Sequence, residues 1–66
     1  MNILLNGEPK AVPTHITAAR LLEMLELDGK CLAVEINEEI VPRSRYAVHR
    51  LQAGDRIEIV HAIGGG

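Results

Sequence analysis

The sequence predicts an α+β fold, a mixed sheet of four to five strands packed on one main helix. Three observations predict it. Asn6-Gly7 follows the apolar run Ile3-Leu4-Leu5, and that dipeptide favours a tight hairpin because both residues accept positive φ. Ala18, Leu21, Leu22 and Leu25 recur at i, i+3, i+4 and i+7, one face of a helix. Leu32, Val34 and Ile36 alternate with Ala33 and Glu35 as a half-buried strand does, and Ile57 and Ile59 share a second such face.

The remaining elements follow in chain order. Lys10-Ala11-Val12 reads as the return strand of the first hairpin, and Pro9 and Pro13 mark it as an edge, because proline donates no ladder hydrogen bond. Thr17 suits the helix N-cap, its hydroxyl serving an orphan N–H of the first turn, and Gly29 is placed to end the helix. Asn37-Glu38-Glu39 reads as a polar turn, Ile40-Val41 as a short extended piece broken by Pro42, and 43–46 as one helical turn. Ala47-Val48 is expected to form a brief strand. Ala53-Gly54-Asp55 is a turn signal leading into the final strand, 56–60. The expected core is Ile3, Leu5, Leu21, Leu22, Leu25, Leu32, Val34, Ile36, Ile57 and Ile59. One amphipathic helix and one sheet cover each other's apolar faces in two layers, with a right-handed crossover. That arrangement is the β-grasp, or ubiquitin-like, fold. Residues 1–62 are expected to form the domain and 63–66 a flexible glycine-rich tail.

Composition excludes several classes of function. Sixty-six residues make one small domain, and such a chain buries only about 60% of its unfolded surface. Cys31 is the single cysteine, so no internal disulfide forms and a reducing cytoplasm is expected. One Cys with His15, His49 and His61 scattered along the chain gives no metal-site spacing. One Tyr, no Phe and no Trp leave no base-stacking platform, and a net charge of −2 argues further against nucleic acid. No apolar run approaches a membrane span, and Met1 opens into a strand pattern rather than a signal peptide.

The chain closes on Gly64-Gly65-Gly66 directly after an apolar strand. Residues without Cβ form a thin, pliable thread, able to enter a tunnel too narrow for ordinary side chains. With the expected fold, this end is similar to that of ThiS-type sulfur carriers of thiamine thiazole biosynthesis. The resemblance spans essentially the whole chain. It is carried by Ile36-Asn37-Glu38-Glu39-Ile40-Val41-Pro42-Arg43, Leu51, Gly54-Asp55, Ile57-Glu58-Ile59-Val60 and Ile63-Gly64-Gly65-Gly66. Tyr46 stands where members of the family often have Trp.

The resemblance implies a carrier rather than an enzyme, with no bound cofactor. An E1-like adenylyltransferase (ThiF type) would activate the Gly66 carboxylate with ATP. Sulfur from cysteine, passed through a cysteine desulfurase, would turn it into a thiocarboxylate, and thiazole synthase (ThiG type) would take that sulfur. Gly65 and Gly64 would be required for transfer. The alternative of the same kind is the small subunit of molybdopterin synthase or another ubiquitin-like sulfur carrier. A protein tag, or a structural module with an inert tail, completes the range.

Four further residues are candidate partner contacts. Ile63 either anchors the tail in an apolar groove or caps the last strand. Leu4 and Val60 point away from the core by alternation; if the first and last strands are neighbours, the two lie together on the open sheet face. There they are a docking surface or ordinary surface aliphatics. Arg43, with Arg45, either steers an acidic partner or sits in a solvated turn. Cys31 reads as a small packed hydrophobe rather than a sulfur donor, the histidines as surface residues, and Glu38-Glu39 as a solvated turn.

Overall fold

Asn6 and Gly7 take φ of 49° and 85°, the left-handed pair a tight hairpin needs, so the chain reverses between β1 (Asn2–Leu5) and β2 (Glu8–Ala11). The computed structural model describes residues 1–61, apart from the side chain of Leu32. Five strands form one sheet in the order β2-β1-β5-β3-β4. The later strands are β3 (Cys31–Ile36), β4 (Glu39–Ile40) and β5 (Arg56–His61). β2 lies at one edge, as Pro9 requires. β5 enters the centre, parallel to β1 with Leu5 beside Ile57, and antiparallel to β3 with Val34 beside Ile59.

The helix α1 (Ala18–Met24) has each first-turn N–H satisfied. Ala18 N–H donates to the His49 carbonyl and Ala19 N–H to the Tyr46 carbonyl, both at 2.9 Å. Arg20 N–H donates to the Thr17 hydroxyl at 3.1 Å, so Thr17 is the N-cap. This use of the 46–49 backbone explains why Ala47-Val48 is not the expected strand. Those residues form a turn after the 3-10 turn Arg43–Arg45, with Val48 and His49 N–H both donating to the Arg45 carbonyl. The flanking Tyr46 and His49 carbonyls cap the helix, and the segment does not extend the sheet.

Gly29 does not end the helix. Leu25 is the C-cap, Glu26 takes φ 59°, and Gly29 occupies the turn before β3 at φ 78°. Glu26 N–H donates to the Glu23 carbonyl at 3.0 Å and Leu27 N–H to the Leu22 carbonyl at 2.8 Å. These paired bonds are a Schellman closure, and Leu27 folds back against the core. Leu27 burial holds a glutamate in a conformation that glycine would take more cheaply.

The core is centred on Ile3, Leu21, Leu51, Ile57 and Val34, each 2% exposed or less. Leu22, Ile36 and Ile59 join it as expected, while Leu5 and Leu25 are half-buried at its margin. Val12, Ile16, Val41 and Leu51 also belong to it, although they lie in connections or at strand ends without periodicity. Leu51 N–H donates to the Ile16 carbonyl at 2.8 Å, pulling two such connections over the same end of the sheet. Cys31 is buried too, because the register slips between Cys31 and Ala33 and interrupts the alternation of β3. The expected core position of Leu32 is a side chain outside the described residues. One helix on a five-stranded mixed sheet with this order is the β-grasp fold.

Because only the backbone conformation at Glu26 opposes the helix closure, Glu26→Gly is expected to stabilise the domain by about 0.5–1 kcal/mol. Urea unfolding checks it; unchanged or lower stability would count against the closure as described.

Candidate functional site

Ile63, Gly64, Gly65 and Gly66, with the domain boundary at 62, lie outside the described residues. The structure does define what leads into them. β5 is the only strand flanked by β1 on one side and β3 on the other, and its Ile57 and Ile59 are 1% and 6% exposed. The strand that precedes the terminal segment is therefore the central strand of the sheet.

Two asparagines fasten it. Asn37 begins the β3–β4 turn with φ 53°, and its side-chain carbonyl accepts the Arg56 N–H at 3.0 Å where β5 starts. Its amide donates to Asp55 Oδ1 at 3.0 Å, while Asp55 Oδ2 accepts the Gln52 N–H at 2.8 Å. Asn37 and Gly54-Asp55, two groups that carry the family resemblance, thus join two turns and set where β5 begins. Asn6, at the β1–β2 turn, accepts the Ile59 N–H on its side-chain carbonyl at 2.9 Å. Neither side-chain role was legible beforehand. The available signal was an asparagine at each left-handed turn position, which explains its backbone and leaves its amide unassigned.

The candidate partner contacts fall in two places. Leu4 and Val60 do lie on the same open face, and β1 and β5 are neighbours. They are not adjacent, however: Leu4 sits opposite Arg56, so Val60 is four residues further along β5, roughly 13 Å at strand rise. Arg56 and Glu58 stand exposed between them. Val60 is paired instead with Ala33, and Glu58 faces Glu35 directly across the ladder. Ile40, opposite Glu35 and 72% exposed, extends this face to the far edge. The result is an aliphatic surface interrupted by an acidic pair whose like charges oppose each other at close range.

Arg43 is elsewhere, in the 3-10 turn beside α1. Its guanidinium donates to the Cys31 carbonyl at 2.9 Å, so it is anchored rather than free in a solvated turn. With Ala19, Leu22, Cys31 and Tyr46 it lines an open groove of about 330 Å³. Cys31 is buried there as a packed side chain, its sulfur 3.9 Å from the Tyr46 hydroxyl. Burial first, then the neighbouring thiol, push the Tyr46 phenol above its ordinary pKa of 10.0, with Arg43 pulling the other way. Among the described residues, no group of three or more His, Cys, Asp or Glu is arranged to hold a metal ion, and no helix is long and apolar enough to cross a membrane.

A β-grasp body whose central strand leads into the glycine-ended segment defines the class. The ThiS family model matches residues 3–66, and the chain belongs to the ThiS family. It is 38% identical to the sulfur carrier protein ThiS of Escherichia coli over 66 residues, covering all of both chains. It is 44% identical over its full length to the thiazole synthase of Paramagnetospirillum magneticum, of which it spans only 20%. The crystal structure of a thiamine biosynthesis protein (ThiS) from Geobacter metallireducens superposes with a TM-score of 0.83 at 28% identity, both chains fully covered. A relative in Bacillus subtilis, 44% identical over 50 residues that make up 76% of each chain, is likewise named a sulfur carrier protein.

Tyr46 is the only aromatic side chain, so the ultraviolet absorbance of its phenolate reports this site alone. Its folded-state midpoint is expected above 10.0, returning to about the free value in denaturant. A raised folded pKa favours the protonated form, so this contribution to stability is complete below pH 10 and lost as pH climbs through the folded midpoint. An identical midpoint in folded and unfolded chains would contradict the burial described.

Proposed function

We propose that this protein carries sulfur for thiazole formation in thiamine biosynthesis, as a C-terminal thiocarboxylate on Gly66. The observation that carries the reading is the family match through residue 66 together with the Gly64-Gly65-Gly66 end. Supporting it, the chain aligns over its whole length with part of a protein named thiazole synthase, which suits a carrier and its acceptor working together.

The chemistry requires an activated acyl group. A carboxylate resists nucleophiles because its charge repels them and an oxide would have to leave. Attack of a Gly66 carboxylate oxygen on the α-phosphorus of ATP, in an E1-like adenylyltransferase, releases pyrophosphate and leaves an acyl adenylate. A persulfide sulfur supplied by a cysteine desulfurase then adds to the acyl carbon and AMP departs. A second thiolate attacks the desulfurase-side sulfur of the resulting acyl disulfide, forming a new disulfide with it and releasing the thiocarboxylate. The carrier itself binds no cofactor; ATP belongs to the activating enzyme.

The body supplies position. Four residues such as 63–66, if fully extended, would span about 13 Å at 3.3 Å each, a reach that would bring Gly66 into a buried site while the domain stays outside. Gly65 and Gly64 keep the thread thin. Docking makes the transfer effectively intramolecular. The open sheet face, with Leu4, Ile40 and Val60 around the Glu35/Glu58 pair, is the surface offered to the enzymes, complementary to an apolar patch bearing a cation. Ile63 anchors the thread at the enzyme's entrance, and Arg43 contributes at the rim beside α1. A single packed cysteine and no disulfide suit the cytoplasm.

Intact-mass analysis after incubation with an activating enzyme, ATP, cysteine and a desulfurase should give a gain equal to one oxygen exchanged for sulfur. Removal of Gly66 should abolish it. High-mass conjugates instead would favour protein tagging. Sulfur release to the large molybdopterin synthase subunit, and not to thiazole synthase, would move the protein to the other pathway. Val60→Asp, which places a charge on the open face, should reduce charging by at least about tenfold with the fold retained by circular dichroism.

A further inference from the structure

The β1 side of the last strand ends in an unusual way. β1 stops at Leu5, whose partner is Ile57, and the chain then turns at Asn6-Gly7. β5 continues to His61. At the point of departure Asn6 N–H donates to the Ile57 carbonyl at 2.8 Å, and the Asn6 side-chain carbonyl accepts the Ile59 N–H at 2.9 Å. One residue therefore provides two consecutive rungs, the second with a side chain standing in for a strand that has turned away. On the other flank, β3 holds the end of β5 through the irregular stretch where the register slips between Cys31 and Ala33. Asn6 thus holds β5 at Ile59 on the β1 side, fifty-three residues distant in sequence from the residue it holds.

We propose that Asn6 is a positioning residue for sulfur delivery. Its side chain clamps β5 at Ile59 and so sets the direction in which the residues after His61 leave the domain. The inference rests on the carrier reading above and deepens it. A thread of this length gains from a fixed root, because each rotatable bond freed at its base widens the volume its tip must search before reaching a catalytic site. Asparagine suits both tasks. It tolerates the left-handed backbone of the turn, and its amide oxygen accepts as a peptide carbonyl does.

The two tasks are separable by mutation. Asn6→Gly keeps the turn, since glycine accepts the positive φ, and removes only the acceptor. Asn6→Asp keeps both the turn and an acceptor oxygen. Thr17→Ala, which removes the N-cap of α1 far from the tail, serves as a control for general loss of stability.

Hydrogen exchange of the Ile59 amide is expected to accelerate by at least about tenfold in Asn6→Gly relative to the Ile57 amide, and not in Asn6→Asp. In the charging reaction, Asn6→Gly should lower kcat by roughly tenfold while KM for the activating enzyme changes by less than about twofold. Asn6→Asp should restore kcat, and Thr17→Ala should keep it despite a lower melting temperature. Unchanged Ile59 exchange in Asn6→Gly, or a kcat equal to that of Thr17→Ala, would overturn the proposal. Failure of the unmodified protein to gain sulfur would instead remove the carrier reading, leaving the exchange measurement to decide whether the clamp exists.

Discussion

The central placement of β5 is the constraint on which the rest of this structure depends. The strand contributes Ile57 and Ile59 to the core, lies between β1 and β3, and is the element that runs on into the terminal segment. Local and non-local interactions converge on it. A parallel rung from β1 forms only after the chain has passed through the hairpin, helix and second hairpin, so the last strand locks elements made earlier. The consequence is mechanical: the terminal segment follows the strand at the centre of the sheet.

The two turn asparagines show how such a strand is fastened without lengthening its neighbours. Asn37 holds its beginning through the Arg56 N–H and Asn6 holds it near its end through the Ile59 N–H. Both sit at positive φ, where the side chain projects toward an adjacent strand that has outrun its partner. A similar economy governs the helix. Its exposed N–H groups are served by carbonyls of the 46–49 turn, so a segment with strand-like residues is diverted into capping. Hydrogen-bond demand, rather than β propensity, decided that segment.

The surface divides accordingly. The helix side carries the groove around Tyr46 and Arg43, knit to Cys31 by hydrogen bonds. The open sheet face carries Leu4, Ile40 and Val60 with the opposed Glu35 and Glu58. An apolar surface broken by two carboxylates facing each other across the ladder is poorly suited to a permanent dry interface and better suited to transient docking. A sulfur carrier, whose load has to be passed on, has need of such reversibility.

Periodicity and turn chemistry made most of the fold legible in the sequence. Asn6-Gly7, the Leu21/Leu22 stripe, Thr17 and the Ile57/Ile59 alternation each act over a few residues, where local sterics and burial dominate. The glycine end, with the family resemblance, carried the reading of function. Tertiary structure alone decided the early end of the helix at Leu25, the burial of Val12, Ile16, Val41 and Leu51, the register slip that turns the expected packed Cys31 inward, and the separation of Leu4 from Val60. Each of those depends on strand register or on contacts between residues distant in sequence. Hydrophobic patterns report which residues seek burial, but not which neighbours the closed sheet will provide.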